Sequence, residues 1–292
     1  MPGEKEGLLA GVTHQFYQVN GIRMHVASLG QGEPLICLHG FPEFWYSWRY
    51  QMAGLKDNFR VIAPDLRGFN ESDKPFGVEN YGVDSLGEDL RQLIEALGYR
   101  QVYLVGHDWG ASVAWHFALT HPEYVKKLVI INGAHPRAFA REIKGWRQRR
   151  KSWYIFFFQT SRLPEIYMSW GNYFNLRRML RRSAVSKPVF DPGTMDRYVE
   201  ALSRPGALTA AINYYRASFK VRPKMKYPKT YDGEVLLIWG RRDPFLSVEI
   251  SQGNEKWVPG IKVRYIPDCG HWTQMEKPET VNRLIFEFIR GV

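Results

Sequence analysis

Gly106-His107-Asp108-Trp109-Gly110 decides how the chain is to be read. Val102 to Val105, just before it, is an apolar run of strand length, and Ala111 to Leu119, just after it, is an apolar stretch of helix length. The pentapeptide is therefore a sharp turn between a buried strand and a helix. Small residues at both ends let the chain turn tightly enough to push the middle side chain, Asp108, into an exposed and strained position, the logic of a nucleophile elbow. A plainer reading makes Asp108 a helix cap, since aspartate is favoured there.

An aspartate at such a turn has different chemistry from a serine. A carboxylate with a reference pKa of about 3.9 is ionised at neutral pH without a neighbouring base. If it attacks a saturated carbon it forms an alkyl ester, which water can cleave, whereas serine would form an ether, which water cannot. The residue type thus points to attack on sp3 carbon.

Its 292 residues can bury a sizeable core as one large or two modest domains. A composition of 45% apolar and 24% charged residues is that of a soluble globular protein. No run of about 18 apolar residues is available to span a bilayer, and Met1 to Gly11 lacks the basic-then-apolar order of a secretory signal. The expectation is a soluble, cytoplasmic protein. Cys37 and Cys269 are too few for a disulfide framework and read as buried free thiols. The net charge of +11 is unevenly spread: residues 137 to 229 hold 21 Lys and Arg against 5 Asp and Glu, and the remainder holds 19 against 24. Clusters such as Arg147, Arg149, Arg150 and Lys151, or Arg177, Arg178, Arg181 and Arg182, read either as a solvated helical face or as a surface for anionic membranes. No nucleic-acid motif accompanies them, so no nucleic-acid partner is expected.

Along the chain, Phe16 to Val19 and Ile22 to Ala27 form a predicted hairpin around Asn20-Gly21. Leu35 to Leu38, Arg60 to Ala63 and Lys127 to Ile131 are predicted buried strands, with helices at about Ser47 to Leu55 and at Asp84 to Leu97, the latter closed by Gly98. After Asn132-Gly133 the alternation stops. Residues 134–228 are basic, aromatic-rich and mostly helical by pattern, with breaks at Pro188, Pro192 and Pro205, and most of their aromatics are expected to fill a core. The strand and helix rhythm returns at Glu234 to Trp239, Lys262 to Ile266 and Val281 to Phe288. This predicts an α/β core of residues 1–133 and 229–292 with a helical lid of residues 134–228 over the carboxyl ends of the strands, where open α/β sheets bind ligands.

Two further strand ends supply partners for Asp108. Trp239-Gly240-Arg241-Arg242-Asp243-Pro244 follows one late strand and Asp268-Cys269-Gly270-His271-Trp272 the next. Asp108, Asp243 and His271 fall in the order nucleophile, acid, histidine. In that arrangement His271 takes a proton from water, and Asp243 orients it and stabilises the imidazolium.

With these residues the chain resembles the α/β-hydrolase-fold epoxide hydrolases, from the first hairpin to the last helix. His39-Gly40-Phe41-Pro42 resembles the family's turn after the third strand, and Pro64-Asp65-Leu66-Arg67-Gly68 with Ser72-Asp73-Lys74-Pro75 also matches. Asn70 replaces a frequent glycine, which the tolerance of asparagine for left-handed backbone permits. The resemblance implies a mostly parallel eight-stranded sheet with the lid inserted after the sixth strand, a cis Phe41-Pro42 bond, and an oxyanion hole from the backbone N–H groups of Phe41 and Trp109. It also implies two lid tyrosines that donate to the epoxide oxygen. Trp153-Tyr154-Ile155-Phe156-Phe157-Phe158-Gln159 offers Tyr154, and Asn213-Tyr214-Tyr215-Arg216 offers Tyr215, with Tyr214 left as core. The implied reaction makes a diol from a small lipophilic epoxide and water, with no metal or organic cofactor. Two other readings share parts of this pattern: a haloalkane or haloacid dehalogenase using the same aspartate, and a non-catalytic protein that binds a lipophilic ligand. Oligomeric state stays open.

Overall fold

The computed structural model describes residues 7–292, so residues 1–6 of the segment read above for a secretory signal lie outside the described residues. Eight strands run in chain order as β1 (Thr13–Val19), β2 (Ile22–Leu29), β3 (Glu33–Leu38), β4 (Phe59–Pro64), β5 (Val102–His107), β6 (Val125–Ile131), β7 (Val235–Gly240) and β8 (Lys262–Ile266). They form one sheet in the order β1-β2-β4-β3-β5-β6-β7-β8. β1 with β2 and β2 with β4 pair antiparallel, and every later pair is parallel. The hairpin forms as expected because Asn20 (φ 44°) and Gly21 (φ 75°) both take the left-handed backbone that a two-residue hairpin turn needs. β3, β5 and β7 are buried almost without interruption, as strands covered on both faces must be. Edge strand β8 keeps Lys262 and Arg264 toward solvent, a charge pattern that discourages pairing with another sheet.

Helices cover the faces. α1 (Arg49–Leu55) is entered through a 3-10 turn at Trp45–Trp48, so the predicted helix at Ser47 begins in the tighter form. α2 (Val83–Ala96) buries Leu86, Leu90, Leu93 and Ile94 on one stripe and stops before Gly98 (φ 79°). α3 (Trp109–Thr120) is apolar all round and buried nearly throughout. Between β6 and β7, where the sequence loses its alternation, the described residues form α4 (Pro136–Glu142), α5 (Trp146–Lys151), α6 (Trp153–Phe157), α7 (Leu163–Ser183), α8 (Pro192–Ser203) and α9 (Ala207–Lys220), and no strand. α7 is broken where Gly171, Asn172 and Tyr173 turn left-handed. Pro192 opens α8 at its first turn, where its missing N–H costs nothing, so it starts a helix as well as ending what precedes it. α10 (Thr273–Glu276) and α11 (Pro278–Arg290) complete the chain.

The insertion is bonded to the sheet side of the molecule at several points. The Tyr214 hydroxyl donates to the Arg67 carbonyl at 2.7 Å, Trp272 Nε1 donates to Ser183 Oγ at 2.9 Å, and Arg204 reaches Glu71 at 3.0 Å. Tyr214 is fully buried, as expected of a core residue. Most of the other aromatics of this segment also fill the core as expected: Phe158, Phe190, Tyr198 and Tyr215 are buried, and Phe139, Tyr154, Phe157, Tyr173 and Tyr227 are half-buried against it. Trp146, Trp153, Phe156, Tyr167 and Trp170 are exposed, because the short helices α5 and α6 and the first half of α7 have only one face against the body, and Phe174 and Phe219 are exposed as well. Cys37 and Cys269 are buried free thiols. No helix among the described residues is long and apolar enough to cross a membrane.

One buried ion pair joins the first hairpin, the loop after β4 and α2. Arg67 Nε donates to Asp89 Oδ2 at 2.7 Å, Asn20 Nδ2 donates to Asp89 Oδ1 at 2.8 Å, and Arg67 also donates to the Asn20 carbonyl at 2.9 Å. Asp89→Ala should destabilise the protein by about 3–5 kcal/mol in urea unfolding, because it leaves Arg67 buried without a counter-charge; a loss below about 1 kcal/mol, the range of exposed pairs, would show that water reaches the site.

Candidate active site

The five residues that resemble catalytic groups come from two sources, neighbouring strand ends and the helical insertion. In the sheet β3, β5, β6, β7 and β8 lie side by side, and the carboxyl ends of these parallel strands deliver Phe41, Asp108, Asn132, Asp243 and His271. Asp108 is the hinge between β5 and α3, at φ 51° and ψ −117°. A non-glycine residue held there costs about 1–3 kcal/mol. Gly106 and Gly110 are needed for room: a Cβ on Gly106 would lie 2.5 Å from the Gly110 carbonyl, and one on Gly110 would lie 2.1 Å from that of Leu38. The strain sits on the aspartate and the close approach on the glycines.

Asp108 occupies the position before α3, but its carboxylate makes no capping bond to that helix. The helix-cap reading is thereby overturned. Oδ1 instead accepts the Phe41 backbone N–H at 2.8 Å. Phe41 lies just past β3, in the turn with a cis Phe41-Pro42 bond, and a Cβ on Gly40 would come within 2.4 Å of Asp108 Cβ. His39 braces the turn, donating from Nδ1 to the Gly40 carbonyl at 2.9 Å and accepting the Leu66 N–H on Nε2 at 3.0 Å. Trp109 is the first residue of α3, so its N–H is one of those the helix leaves without an internal partner.

His271 stands between two carboxylates, with Nδ1 2.7 Å from Asp243 Oδ2 and Nε2 3.4 Å from Asp108 Oδ2. Its ring packs edge-on against Phe245 and Trp272, at 5.0 Å from each. Burial alone would lower its pKa, but Asp243 and Asp108 outweigh burial and hold it up at about 10. Burial likewise opposes the charge on both aspartates, yet His271 and their hydrogen bonds bring each below the ordinary carboxylate range. At neutral pH the three groups are an imidazolium between two carboxylates.

Asp243 is fully engaged. Oδ1 accepts the N–H groups of Phe245 (2.7 Å) and Leu246 (2.9 Å), while Oδ2 takes His271 and Asn132 Nδ2 (2.7 Å). Asn132 is a residue that sequence reasoning missed as part of the site. Its side-chain oxygen also accepts Gly240 N–H and Thr273 Oγ1–H, so it ties the ends of β6 and β7 to α10; the signal was the Asn-Gly pair, read only as the end of the alternating segment. A second missed group is Glu43, buried with His107 at 2.7 Å and bonded to Gly40 N–H and Gln274 Nε2, both at 2.9 Å. His107 Nε2 in turn donates to the His271 carbonyl at 2.9 Å. This network fastens the turn of Phe41 to the loop of His271. Lys151 of α5 donates to the backbone carbonyls of Asp243 and Leu246.

Tyr154 on α6 and Tyr215 on α9 meet over Asp108, their ring centroids 5.8 Å apart. Tyr215 stands edge-on to Trp109 at 5.1 Å. Burial first, and the charge of Asp108 second, push both phenols well above their ordinary value, so both are protonated donors at neutral pH. A cavity of about 500 Å³ opens beside Phe41, Asp108, Tyr154, Tyr215 and His271, and a second of about 310 Å³ shares Asp108, Tyr154 and Tyr215 and extends past Trp109 and Phe139. The carboxylate and the two phenols thus stand where the chambers meet. No group of three or more metal-ligating side chains occurs among the described residues.

Residues 33–278 match the family described as alpha/beta hydrolase fold. The chain is 40% identical to the AB hydrolase superfamily protein YfhM of Bacillus subtilis, over 96% of this chain and 99% of that one. It is 37% identical to human epoxide hydrolase 4, over 95% of this chain and 79% of the relative. A solved epoxide hydrolase variant from Bacillus megaterium, bound to its naphthyloxy-propanediol product, superposes with a TM-score of 0.88 at 37% identity, over 94% of this chain and 100% of that one. The chain belongs to the alpha/beta hydrolase fold family, among its epoxide hydrolases.

Because the folded His271 is raised above its ordinary 6.5, its stabilising ion pairs are fully present below pH 6.5 and are lost as pH rises through about 10. The stability difference between wild type and His271→Gln, followed by urea unfolding, should therefore shrink from the acid to the alkaline end of that window. A constant difference would mean that His271 is neutral in the folded protein.

Proposed function

We propose that the protein hydrolyses epoxides to vicinal diols through an ester on Asp108, and that residues 134–228 act as the lid that supplies the oxygen-binding tyrosines. The observation that carries this reading is the pair of protonated phenols, Tyr154 and Tyr215, set over an ionised Asp108 that is already held by Phe41 N–H. A substrate held there meets the nucleophile on one side and two hydroxyl donors on the other.

In the first step Asp108 Oδ2 attacks an epoxide carbon and the carbon–oxygen bond breaks. The electron pair stays on the oxygen, which the two hydroxyls stabilise as charge develops. Oδ1 becomes the ester carbonyl oxygen, already beside Phe41 N–H. Esterification removes the charge of Asp108, one of the two that hold the proton on His271. His271 can then give up its proton, and the alkoxide takes up one, so the step balances. In the second step neutral His271 removes a proton from water as the water adds to the ester carbon. Phe41 and Trp109 N–H groups stabilise the oxyanion, and Asp243 holds the returning imidazolium; on collapse the departing alkoxide takes the second water proton from the Asp108 carboxyl, leaving as the diol and restoring the Asp108 carboxylate.

The substrate class is a small lipophilic epoxide, suited to chambers walled by Phe157, Phe158, Met168 and Phe245 on one side and Phe139, Ile155 and Phe219 on the other. The excess of cations on the lid suits peripheral contact with anionic membranes. A dehalogenase would need halide donors above Asp108, whereas here the two phenols Tyr154 and Tyr215 stand together in that place. A non-catalytic binding protein would have no need of the charged row Asp108, His271 and Asp243.

With styrene oxide as substrate, wild type should form the diol and Asp108→Ala should not; diol formation at a similar rate by Asp108→Ala would refute the reading. His271→Gln should stop after the first step and gain the mass of one substrate on the peptide carrying Asp108. Tyr215→Phe should lower kcat by about 10²–10³-fold, the cost of losing one such donor. Halide release from haloalkanes, assayed in parallel, should be absent.

A further inference from the structure

The first half of α7 carries an apolar stripe that faces away from the protein. Leu163, Ile166, Tyr167 and Trp170 recur at i, i+3, i+4 and i+7, the spacing of one helix face, and are 57%, 55%, 49% and 71% exposed. Pro164 and Met168 hold the opposite face inward, and Glu165 on that side pairs with Arg216 at 2.6 Å. An outward stripe of this size is not the scatter of single apolar residues found on ordinary surfaces. Nor does it end with the helix. Tyr167 packs on Phe157 at 5.6 Å, Phe157 on Trp153 at 6.2 Å, and exposed Phe156 on exposed Phe219 at 5.9 Å.

This surface is also the rim of the larger cavity. Trp153, Tyr167 and Arg150 are exposed to solvent and line the chamber that holds Asp108 and His271. Cations surround it. Arg162 immediately precedes the stripe, Arg149 and Arg150 are exposed on α5, and Arg150 lies over the exposed ring of Trp146 at 5.4 Å. They belong to the segment with 21 basic against 5 acidic residues.

We propose that this face docks the protein on an anionic lipid bilayer, with the α7 stripe and the Trp153 edge entering the interface and the arginines meeting the headgroups. Aromatic and aliphatic side chains on one face and arginines around them, with no helix among the described residues able to span a membrane, are the physical features of an interfacial element that lies on a bilayer. A second copy of this chain is the competing occupant. Charge decides against it: a two-fold contact through the same patch would bring two strongly basic segments together, whereas anionic headgroups neutralise them. The consequence rests on the cavity being the epoxide site: a lipophilic epoxide dissolved in the bilayer enters the chamber past Trp153 and Tyr167 without crossing water.

The test uses the full chain with vesicles of phosphatidylcholine alone or mixed with phosphatidylglycerol, and a variant carrying Ile166→Ser and Trp170→Ser, two exposed positions that line neither cavity. Wild type should co-sediment with the phosphatidylglycerol vesicles at low salt, bind pure phosphatidylcholine at least about tenfold more weakly, and come off as salt is raised. The double variant should bind the anionic vesicles about tenfold more weakly while its melting temperature and its styrene oxide turnover in vesicle-free buffer stay at wild-type values. Absence of sedimentation at low salt, or equal binding by the variant, overturns the proposal. So does a dimer in light scattering that the double variant dissolves, which would assign the stripe to a second copy. Styrene oxide turnover is read without vesicles, so its absence would count against the epoxide reading and leave the docking result to be judged by sedimentation alone.

Discussion

The hydrogen bond from Phe41 N–H to Asp108 Oδ1 spans the ends of two neighbouring parallel strands, and the rest of the site is arranged around it. It holds one carboxylate oxygen where ester carbonyl charge would build and leaves the other free toward the cavity and His271. To place it there, the chain accepts a strained backbone at Asp108 and glycines at three points of close approach, Gly40, Gly106 and Gly110. Any larger residue at those points would push β3 and the start of α3 apart and break the bond. Burial of Glu43 with His107 and Gln274 then ties the Phe41 turn to the loop of His271 through one hydrogen-bonded network.

The electrostatics follow from putting two carboxylates on either side of one imidazole. Burial by itself works against the charge on each of the three groups. Together they remain charged, and the balance depends on Asp108 being a free carboxylate. In the proposed mechanism, an ester on Asp108 would leave only Asp243 to support the proton on His271. A change of bonding at Asp108 would thereby change the acidity of His271, the group proposed to act next. Asp243 stays fixed through this because all its acceptor positions are taken by Asn132, Phe245, Leu246 and His271.

Much of this was legible from local pattern. Asp108, Asp243 and His271 each follow an apolar run of strand length and precede a turn or helix, so their place at strand ends could be read directly, and Asn20 and Asn70 take the left-handed backbone expected of them. Asn132 and Glu43 were not legible as site residues, because what defines them is a partner more than a hundred residues away: Asp243 and Gly240 for the first, Gln274 for the second. Tyr154 and Tyr215 were found through resemblance, since nothing in a run of aromatics says which one faces a cavity. For the same reason the sequence did not say which aromatics of α5, α6 and α7 stay exposed, because residue type reports a tendency to be buried and only the fold reports whether a partner face exists.

The central claim is that oxygen reaches the diol by way of Asp108. A single turnover with enzyme in excess over styrene oxide, run in water enriched in heavy oxygen, tests it directly. The account predicts that the first diol released carries no heavy oxygen, having taken its new oxygen from Asp108, and that the label is found on the Asp108 peptide. Heavy oxygen in the diol of the first turnover, with none on Asp108, would mean that water attacks the epoxide itself and would contradict the account.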